Sequence, residues 1–354
     1  MLAADTSAVA APALTAPLSM QNSLAWKQIS GPVEPFLHAV SRRMAGQIQE
    51  FESEIAGYAE YALGAQGKQL RPVLVALSAG ATGKLNDSHV LAAVIIEMVH
   101  LATLVHDDVM DGAEIRRGRP TLAANWGNEI SVLLGDCLFA HALKLAASFR
   151  TTEICRAVSS ATNTVCSGEI LQTERRKNFE LTRAEYFKVL TMKTGELFAL
   201  SCDLGAYLSR ANTVERSALK KFGLAIGTAY QVYDDCLDLF GSEAKAGKSL
   251  GTDLAKGKLT LPTIIALERA TDAEREQFQA SVQDWKPGYL PRVVKWLRKH
   301  DALAASRQAV HEYLAAAREA IVSLSESESR AGLFGLAEYL AQQTDALAHH
   351  EIGI

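Results

Sequence analysis

Apolar residues recur at the three- and four-residue spacing of an α-helix through most of this chain, and alternating strand patterns are scarce. An amphipathic helical pattern covers about Leu24–Gly64, and Gly67–Pro72 interrupts it. Pro72 predicts the start of another helix, because proline is tolerated in a first helical turn. Gly80 and Gly83 predict the end of that helix.

A long apolar helix is expected next. Asp87 or Ser88 can cap its beginning, and it runs to about Asp111. The helical pattern continues through the C-terminal third and is interrupted at Pro287 and Pro291. The same spacing predicts helices over 128–149, 151–176, 182–209, 214–240, 259–269 and 272–285.

These patterns predict an all-α fold, with one large helical domain over 24–354. The first 23 residues are rich in Ala, Ser, Thr and Pro, which predicts a disordered tail over 1–23. Hydrophobic residues make up 48% of the chain, enough for a large core. Glu97 and His100 break the longest apolar runs, so we expect no membrane span.

The amino-acid composition limits the classes of function and the cellular compartments that fit this chain. The net charge of −4 shows no basic surplus, which argues against a general nucleic-acid binder. Five cysteines occur without a CxxC pair, and the N-terminus lacks the early positive charge of a secretory signal. A reduced, cytoplasmic location is the simplest interpretation.

The long helix ends in HDDVMD, which places three carboxylates beside a run of apolar residues. Asp107 and Asp111 lie one helical turn apart and so point the same way, with Asp108 beside them. Glu97 and His100 fall on the same stripe, and a polar stripe on a buried helix must face a partner or water. Mg²⁺ would relieve the repulsion among these oxygens; a solvated helix end is the alternative.

A second acidic cluster has the same D-D-x-x-D spacing. GTAYQVYDDCLDLFG carries Asp234, Asp235 and Asp238 near the end of an apolar helix, and Gly241 can cap that end. If the two cluster-bearing helices pack side by side, the carboxylates would face each other across one cavity. Such a pair could hold Mg²⁺ ions around a diphosphate.

With both clusters present, the chain resembles the trans-isoprenyl diphosphate synthases, the polyprenyl synthetase family. The resemblance is strongest to its long-chain octaprenyl and solanesyl members. Seven motifs carry it: GKQLRP at 67–72, HLATLVHDDVMD at 100–111, RRGRPT at 116–121, GEILQ at 168–172, KTGELF at 193–198, YQVYDDCLD at 230–238 and GKSLGTDLAKGKLTLP at 247–262.

The resemblance implies a helical bundle around a central cavity and a prenyltransferase reaction. Isopentenyl diphosphate would condense with an allylic diphosphate by ionisation, condensation and elimination. The implied cofactor is Mg²⁺, three ions per site, with Mn²⁺ as a substitute. The implied assembly is a homodimer, and a membrane-seeking product would allow weak peripheral membrane association.

The resemblance also assigns residues. It implies metal binding and catalysis by Asp107, Asp108, Asp111, Asp234, Asp235 and Asp238. It places the isopentenyl diphosphate on Lys68, Arg71, His100 and Arg117. It places the allylic diphosphate on Arg116, Lys193, Lys248 and Lys258. Thr194 and Gln231 would line the reacting end together with Lys193, also as catalytic residues.

Product length is expected to depend on the cavity floor beneath HDDVMD. In the family, aromatic residues four and five positions before the first aspartate go with short products. Here those positions hold Thr103 and Ala102, which are small. We therefore expect a product longer than C20, unless Phe139 or Leu143 from another helix forms the floor.

Three departures from the family pattern stand out, namely Gln66, Gln69 and Tyr230 at positions usually Gly, Arg and Phe. Three alternatives remain: a short-chain farnesyl or geranylgeranyl synthase, a class I terpene cyclase, and a non-catalytic partner subunit. A cyclase normally has a different second metal motif. A non-catalytic partner generally lacks intact aspartate clusters, whereas all six aspartates are present here.

Overall fold

The computed structural model describes residues 24–64, 67–243 and 249–349, so the predicted tail over 1–23 lies outside the described residues. Its architecture is all-α, as predicted. The helices are α1 Leu24–Ser30, α2 Glu34–Gly46, α3 Ser53–Leu63, α4 Leu70–Thr82, α5 Asp87–Met110, α6 Leu122–Ala147, α7 Thr152–Glu174, α8 Arg183–Leu190, α9 Glu196–Leu208, α10 Thr213–Phe240, α11 Thr252–Ala255, α12 Leu261–Arg269, α13 Asp272–Gln283, α14 Leu290–Lys299, α15 Ala302–Ala320 and α16 Glu328–Asp345.

Several boundaries differ from the sequence-based expectation. The pattern over 24–64 is three helices, separated by the 3₁₀ turns Gly31–Val33 and Gln47–Glu50. Helix α4 begins before Pro72 and continues past Gly80 to Gly83. A glycine is required at position 80 because a Cβ there would lie 2.1 Å from the Ser329 hydroxyl of α16.

The cap of α5 was also predicted one residue too late. Asn86 has extended backbone angles, and its side chain accepts a hydrogen bond from the Ser88 N–H at 3.0 Å. The His89 ring completes a capping box by contacting the Asn86 N–H at 3.1 Å. Asn86 therefore caps α5, because its side chain reaches the first unpaired N–H groups of the helix.

Helix α5 is a core helix. Residues 92–96 are completely buried, and α5 packs against α2, α4, α6 and α9. Both α5 and α6 are long and apolar enough to cross a membrane by length and composition alone. The most apolar stretch of α5 is 67% buried inside the protein, as a core helix requires, whereas that of α6 is only 39% buried.

Glycines set the close approach of α9 to its neighbours. A Cβ on Gly223 of α10 would lie 2.5 Å from the Phe198 carbonyl oxygen, and one on Gly227 would lie 2.8 Å from the Gly195 Cα. On the opposite side of α9, a Cβ on Gly205 would lie 2.5 Å from the Val75 carbonyl oxygen of α4. Helix α9 is therefore clamped between α4 and α10, which aligns the side chains at their ends.

We predict opposite effects for two glycine-to-alanine changes. Gly223→Ala should destabilise the fold by about 1–3 kcal/mol, because the added methyl meets backbone rather than a movable side chain. Gly57→Ala is the matched control on exposed α3, where nothing lies within 4 Å, and should stabilise by about 0.5–1 kcal/mol. Urea unfolding midpoints measure both. Equal midpoints for the two variants would contradict the close-packing interpretation.

Candidate active site

The first acidic cluster lies at the C-terminal end of α5, where the helix dipole disfavours negative charge. The short hairpin β1 (Ile115–Arg116) and β2 (Arg119–Pro120), which the sequence did not predict, returns the chain toward this end. Arg116 Nε donates to Asp108 Oδ1 at 2.7 Å. Burial raises the pKa of Asp108, against the opposing effect of Arg116.

Asp111 accepts hydrogen bonds from three cationic side chains. Arg176 Nη2 lies 2.7 Å from Oδ1, while Lys256 Nζ and Lys258 Nζ lie 3.0 and 2.9 Å from Oδ2. Burial by itself would raise the pKa of Asp111, but Lys258 and Lys256 outweigh it and lower that pKa to about 2. Asp111 is therefore a fixed negative charge at the centre of a cationic group.

Asp107 shares a cation with a second carboxylate. Lys193 Nζ lies 3.6 Å from Asp107, contacts Glu169 directly and donates to Gln172 Oε1 at 2.9 Å. Burial raises the pKa of Asp107, and Glu169 and Asp111 add to that rise against Lys193. This is a crowded acidic pair with one cation between its members.

Lys193 and Thr194 sit on one turn of π-helix, Thr191–Gly195, between α8 and α9. Such turns are rare and often occur at functional sites, because they re-aim side chains within a continuous helix. The turn packs against α7 and α10. It therefore directs Lys193 toward the first acidic cluster and Thr194 toward α10.

The second cluster is held by a buried hydrogen-bond chain. Thr194 Oγ1 donates to Gln231 Oε1 at 2.9 Å, and Gln231 Nε2 donates to Asp235 Oδ1 at 2.9 Å. The other oxygen of Asp235 accepts from the Tyr186 hydroxyl at 2.6 Å. Burial and the nearby Asp253 hold the pKa of Asp235 well above its ordinary range.

The other members of the second cluster differ in exposure. Asp238 is buried and accepts from the Thr252 hydroxyl at 2.8 Å and the Asp253 N–H at 3.2 Å, so it holds the start of α11. Asp234 is half-buried. Asp235 and Asp238 thus bind the protein itself, and Asp234 is the more exposed carboxylate.

A cavity of about 90 Å³ lies beside Asp235 of the second cluster. Helices α5 and α10 do not pack side by side, because α9 packs against both of them. Two of the cavity's lining residues link it to the first cluster, because Lys193 contacts Asp107 and Lys258 contacts Asp111. Asp235, Gln231 and Thr194 line the same cavity.

A second polar group is buried beside α5. Arg71 lies under the electrostatic influence of Glu97 and Arg117, and its guanidinium stands over the Phe198 ring at 5.0 Å. Arg71 Nε is buried without a hydrogen-bond partner in the described part of the chain. Lys68 Nζ stands 5.9 Å from the centre of the Tyr230 ring. The predicted isopentenyl site residues thus converge, with Glu97 among them.

Gly67 makes room for this cationic group. A Cβ at Gly67 would lie 2.6 Å from Arg117 Nη2, so the guanidinium packs directly against this glycine. Arg117 itself has a left-handed φ of 53° within the hairpin. Burial holds the pKa of His100 well below its ordinary range, and Arg71, Arg117 and Arg116 lower it further.

The two predicted floor residues have different surroundings. Ala102 is completely buried, while Thr103 is half-buried and donates its hydroxyl to the His100 carbonyl oxygen at 2.7 Å. One turn further along α5, the His106 ring lies 5.7 Å from that of Phe139 on α6. Small residues therefore occupy the α5 surface below Asp107.

The structure places the first aspartate cluster in contact with Arg116, Lys193 and Lys258, and it joins Thr194, Gln231 and Asp235 in one hydrogen-bond chain. Lys248 lies outside the described residues. Within the described ranges, no group of three or more His, Cys, Asp or Glu side chains is arranged to hold a metal ion. Sequence reasoning missed Glu169, Arg176, Tyr186 and Lys256, although two of them lie within the quoted motifs GEILQ and GKSLGTDLAKGKLTLP.

An all-α bundle with two acidic clusters and several cations around one cavity is suited to diphosphate chemistry. A sequence model of the polyprenyl synthetase family matches residues 52–295. The chain is 36% identical over 282 residues to heptaprenyl diphosphate synthase component 2 of Bacillus subtilis, covering 79% of this chain and 80% of that one. It is 32% identical over 284 residues to octaprenyl diphosphate synthase of Escherichia coli, covering 80% and 88%.

Comparison with solved structures supports the same family as the sequence comparisons. A decaprenyl diphosphate synthase from Rhodobacter capsulatus superimposes with a TM-score of 0.84 at 32% identity, covering 90% of this chain and 99% of that one. A Caulobacter crescentus polyprenyl synthase complexed with calcium and isoprenyl diphosphate gives 0.85 at 30% identity, covering 89% and 97%. This chain therefore belongs to the polyprenyl synthetase family and is a trans-polyprenyl diphosphate synthase.

We predict that His100 remains neutral in the free protein between pH 6 and 8. Its pKa is depressed in the folded state, so folding stability should fall as the pH drops through the ordinary histidine pKa toward the lower folded-state value. Histidine-selective NMR titration measures this. A midpoint for His100 at or above the ordinary histidine pKa would contradict the prediction.

Proposed function

We propose that this synthase condenses isopentenyl diphosphate with an allylic diphosphate, and that its product is longer than C20. One observation carries the proposal. Lys193 and Lys258 each contact the first acidic cluster and line the same cavity as Asp235 of the second cluster. Two acidic clusters with cations between them match the needs of a diphosphate and its counter-ions.

The donor set fits Mg²⁺. Asp107 lies against Glu169 and Asp111 with its pKa raised, and a bound divalent cation would neutralise that crowding. Asp107, Asp108, Asp111 and Asp234 would hold Mg²⁺, which would neutralise the leaving diphosphate. Asp235 and Asp238 would also fix Gln231 and α11 in place, through the hydrogen bonds that they form with Gln231 and Thr252.

The cations then have separate tasks. Lys193, Lys258 and Arg116 bind the allylic diphosphate and stabilise the charge that develops as its C–O bond breaks. Arg71 and Arg117, with Lys68 and His100, bind isopentenyl diphosphate. The orphaned Arg71 Nε supports this assignment, since a buried guanidinium N–H without an acceptor implies an anionic ligand.

Thr194 and Gln231 act where the bond forms. Their hydrogen bond fixes the Gln231 amide, so its oxygen and the Thr194 hydroxyl present negative dipole ends to the allylic cation. The double bond of isopentenyl diphosphate attacks that cation, and the released diphosphate takes the proton that is lost. Apolar helices around the site exclude water, which would trap the cation.

The test of the proposed function is a product assay. Purified protein with Mg²⁺ and isopentenyl diphosphate is offered dimethylallyl, geranyl, farnesyl or geranylgeranyl diphosphate, and the products are dephosphorylated and sized by mass spectrometry. We expect a ladder that ends above C20. Cyclic hydrocarbon without isopentenyl diphosphate would indicate a cyclase. No turnover with any primer would indicate a missing partner subunit.

Substitutions at Thr103, in the predicted cavity floor, test what limits the product length. Thr103→Phe should shorten the products to C20 or less, because a phenyl ring would fill the space below Asp107 that a growing chain needs. Thr103→Ser keeps the hydroxyl that bonds to the His100 carbonyl and should leave the ladder unchanged. An unaltered ladder in Thr103→Phe would mean that another helix forms the floor.

We also propose a homodimer that covers the outer face of α6. Val132, Leu133 and Leu143 are 41%, 61% and 37% exposed on this one helix, beside exposed Ala140. A second copy of the same face would remove this apolar surface from water. The five cysteines are all unpaired, which supports a reducing compartment, the cytoplasm.

Leu133→Glu should convert the dimer to monomer, because a buried interfacial carboxylate without a partner costs several kcal/mol. Light scattering after size-exclusion chromatography measures the mass. Val214→Glu is the control: it adds the same charge at a residue that is 74% exposed on the first turn of α10. The proposal fails if Leu133→Glu stays dimeric, or if the wild type is monomeric.

A further inference from the structure

Arg176 and Lys256 take no part in the reaction proposed above, yet both contact Asp111. Arg176 Nη2 lies 2.7 Å from one carboxylate oxygen and Lys256 Nζ lies 3.0 Å from the other, which Lys258 also contacts. All three cations are largely buried, with side-chain exposures of 25%, 28% and 10%. One carboxylate therefore faces three positive charges.

This arrangement leaves a surplus of positive charge. The surplus is local to Asp111, since Asp108 pairs with Arg116 while Asp107 and Glu169 share Lys193. Like charges this close repel one another unless an anion joins them. A surplus of cations in a half-desolvated site indicates that a polyanion belongs there.

Unfilled donors support the same conclusion. Arg176 Nε is buried and has no hydrogen-bond partner among the described residues, and the same holds for Arg175 Nη1. Buried guanidinium N–H groups are normally paired, so each orphaned donor requires an acceptor. A diphosphate supplies several oxygens at once, and guanidinium groups match its geometry.

The backbone holds these cations in place. The Lys177 N–H donates to the Gly257 carbonyl oxygen at 2.7 Å, which clamps the end of α7 to the segment after α11. Gly257 has a φ of 70°, and a Cβ there would lie 2.6 Å from the Lys177 side chain. Arg176 precedes Lys177 in sequence and Lys256 precedes Gly257, so this hydrogen bond holds Arg176 and Lys256 in the same part of the fold.

We infer that Arg176 and Lys256 are diphosphate-binding residues of the allylic site, which they would form together with Lys258. The inference rests on the proposed function. Asp111 cannot hold Mg²⁺ and three cations on its two oxygens at once. With Mg²⁺ on Asp111, Arg176 and Lys256 would contact oxygens of the bound diphosphate in place of the carboxylate.

The test measures binding as well as turnover. Arg176→Gln and Lys256→Gln each keep a polar side chain and remove one positive charge. Calorimetric titration with farnesyl diphosphate and Mg²⁺, without isopentenyl diphosphate, should show about ten-fold weaker binding for each variant, the loss expected for one charge-assisted hydrogen bond. The binding of inorganic pyrophosphate should weaken by a similar factor, because both ligands carry the diphosphate that these residues recognise. The KM for isopentenyl diphosphate should not change.

Lys220→Gln removes one charge from an exposed position on α10 and is the matched control. Thermal unfolding by circular dichroism identifies a variant that fails to fold. If Arg176→Gln does not fold, Lys256→Gln tests the inference, because Lys256 lies just after the short helix α11. Unchanged affinity for both diphosphates overturns the inference. So does a lowered Mg²⁺ requirement at unchanged affinity, because the cations would then only compete for Asp111. No binding of farnesyl diphosphate by the wild type overturns the proposed function itself.

Discussion

Repulsion among the carboxylates at the end of α5 is the constraint on which the site depends. Three aspartates lie within five residues at a helix C-terminus, where the dipole adds to their repulsion, and burial raises the cost further. Cations from several separate elements meet this charge. They come from the hairpin, the end of α7, the π-helical turn and the segment around α11, as Arg116, Arg176, Lys193, Lys256 and Lys258.

The apolar scaffold makes these contacts strong. Glycines let α9 approach α4 and α10 closely, so the surroundings of the site are dense and exclude water. In such an interior each ion pair is stronger than in water, and each unpaired charge is more costly. The same packing carries the chain of hydrogen bonds from Thr194 through Gln231 to Asp235 and Tyr186.

The acidic clusters could be found from spacing, since residues four apart share a helix face whatever the rest of the fold does. The basic partners could not be found in that way. Arg176 is 65 residues from Asp111 and Lys256 is 145 residues away, so neither contact leaves a local pattern. Tyr186, 49 residues from Asp235, escaped notice for the same reason. Family resemblance supplied Lys193 and Lys258 but no role for Arg176 or Lys256.

The sequence by itself determined the helical class and the two carboxylate clusters, because periodicity and i, i+4 spacing are local properties of the chain. It also carried the motifs that identify the family. Only the tertiary structure decided which cation meets which carboxylate, that α9 lies between the two cluster-bearing helices, and that Asp235 and Asp238 bind the protein. Those outcomes depend on contacts between distant segments, which the packing of the whole chain selects.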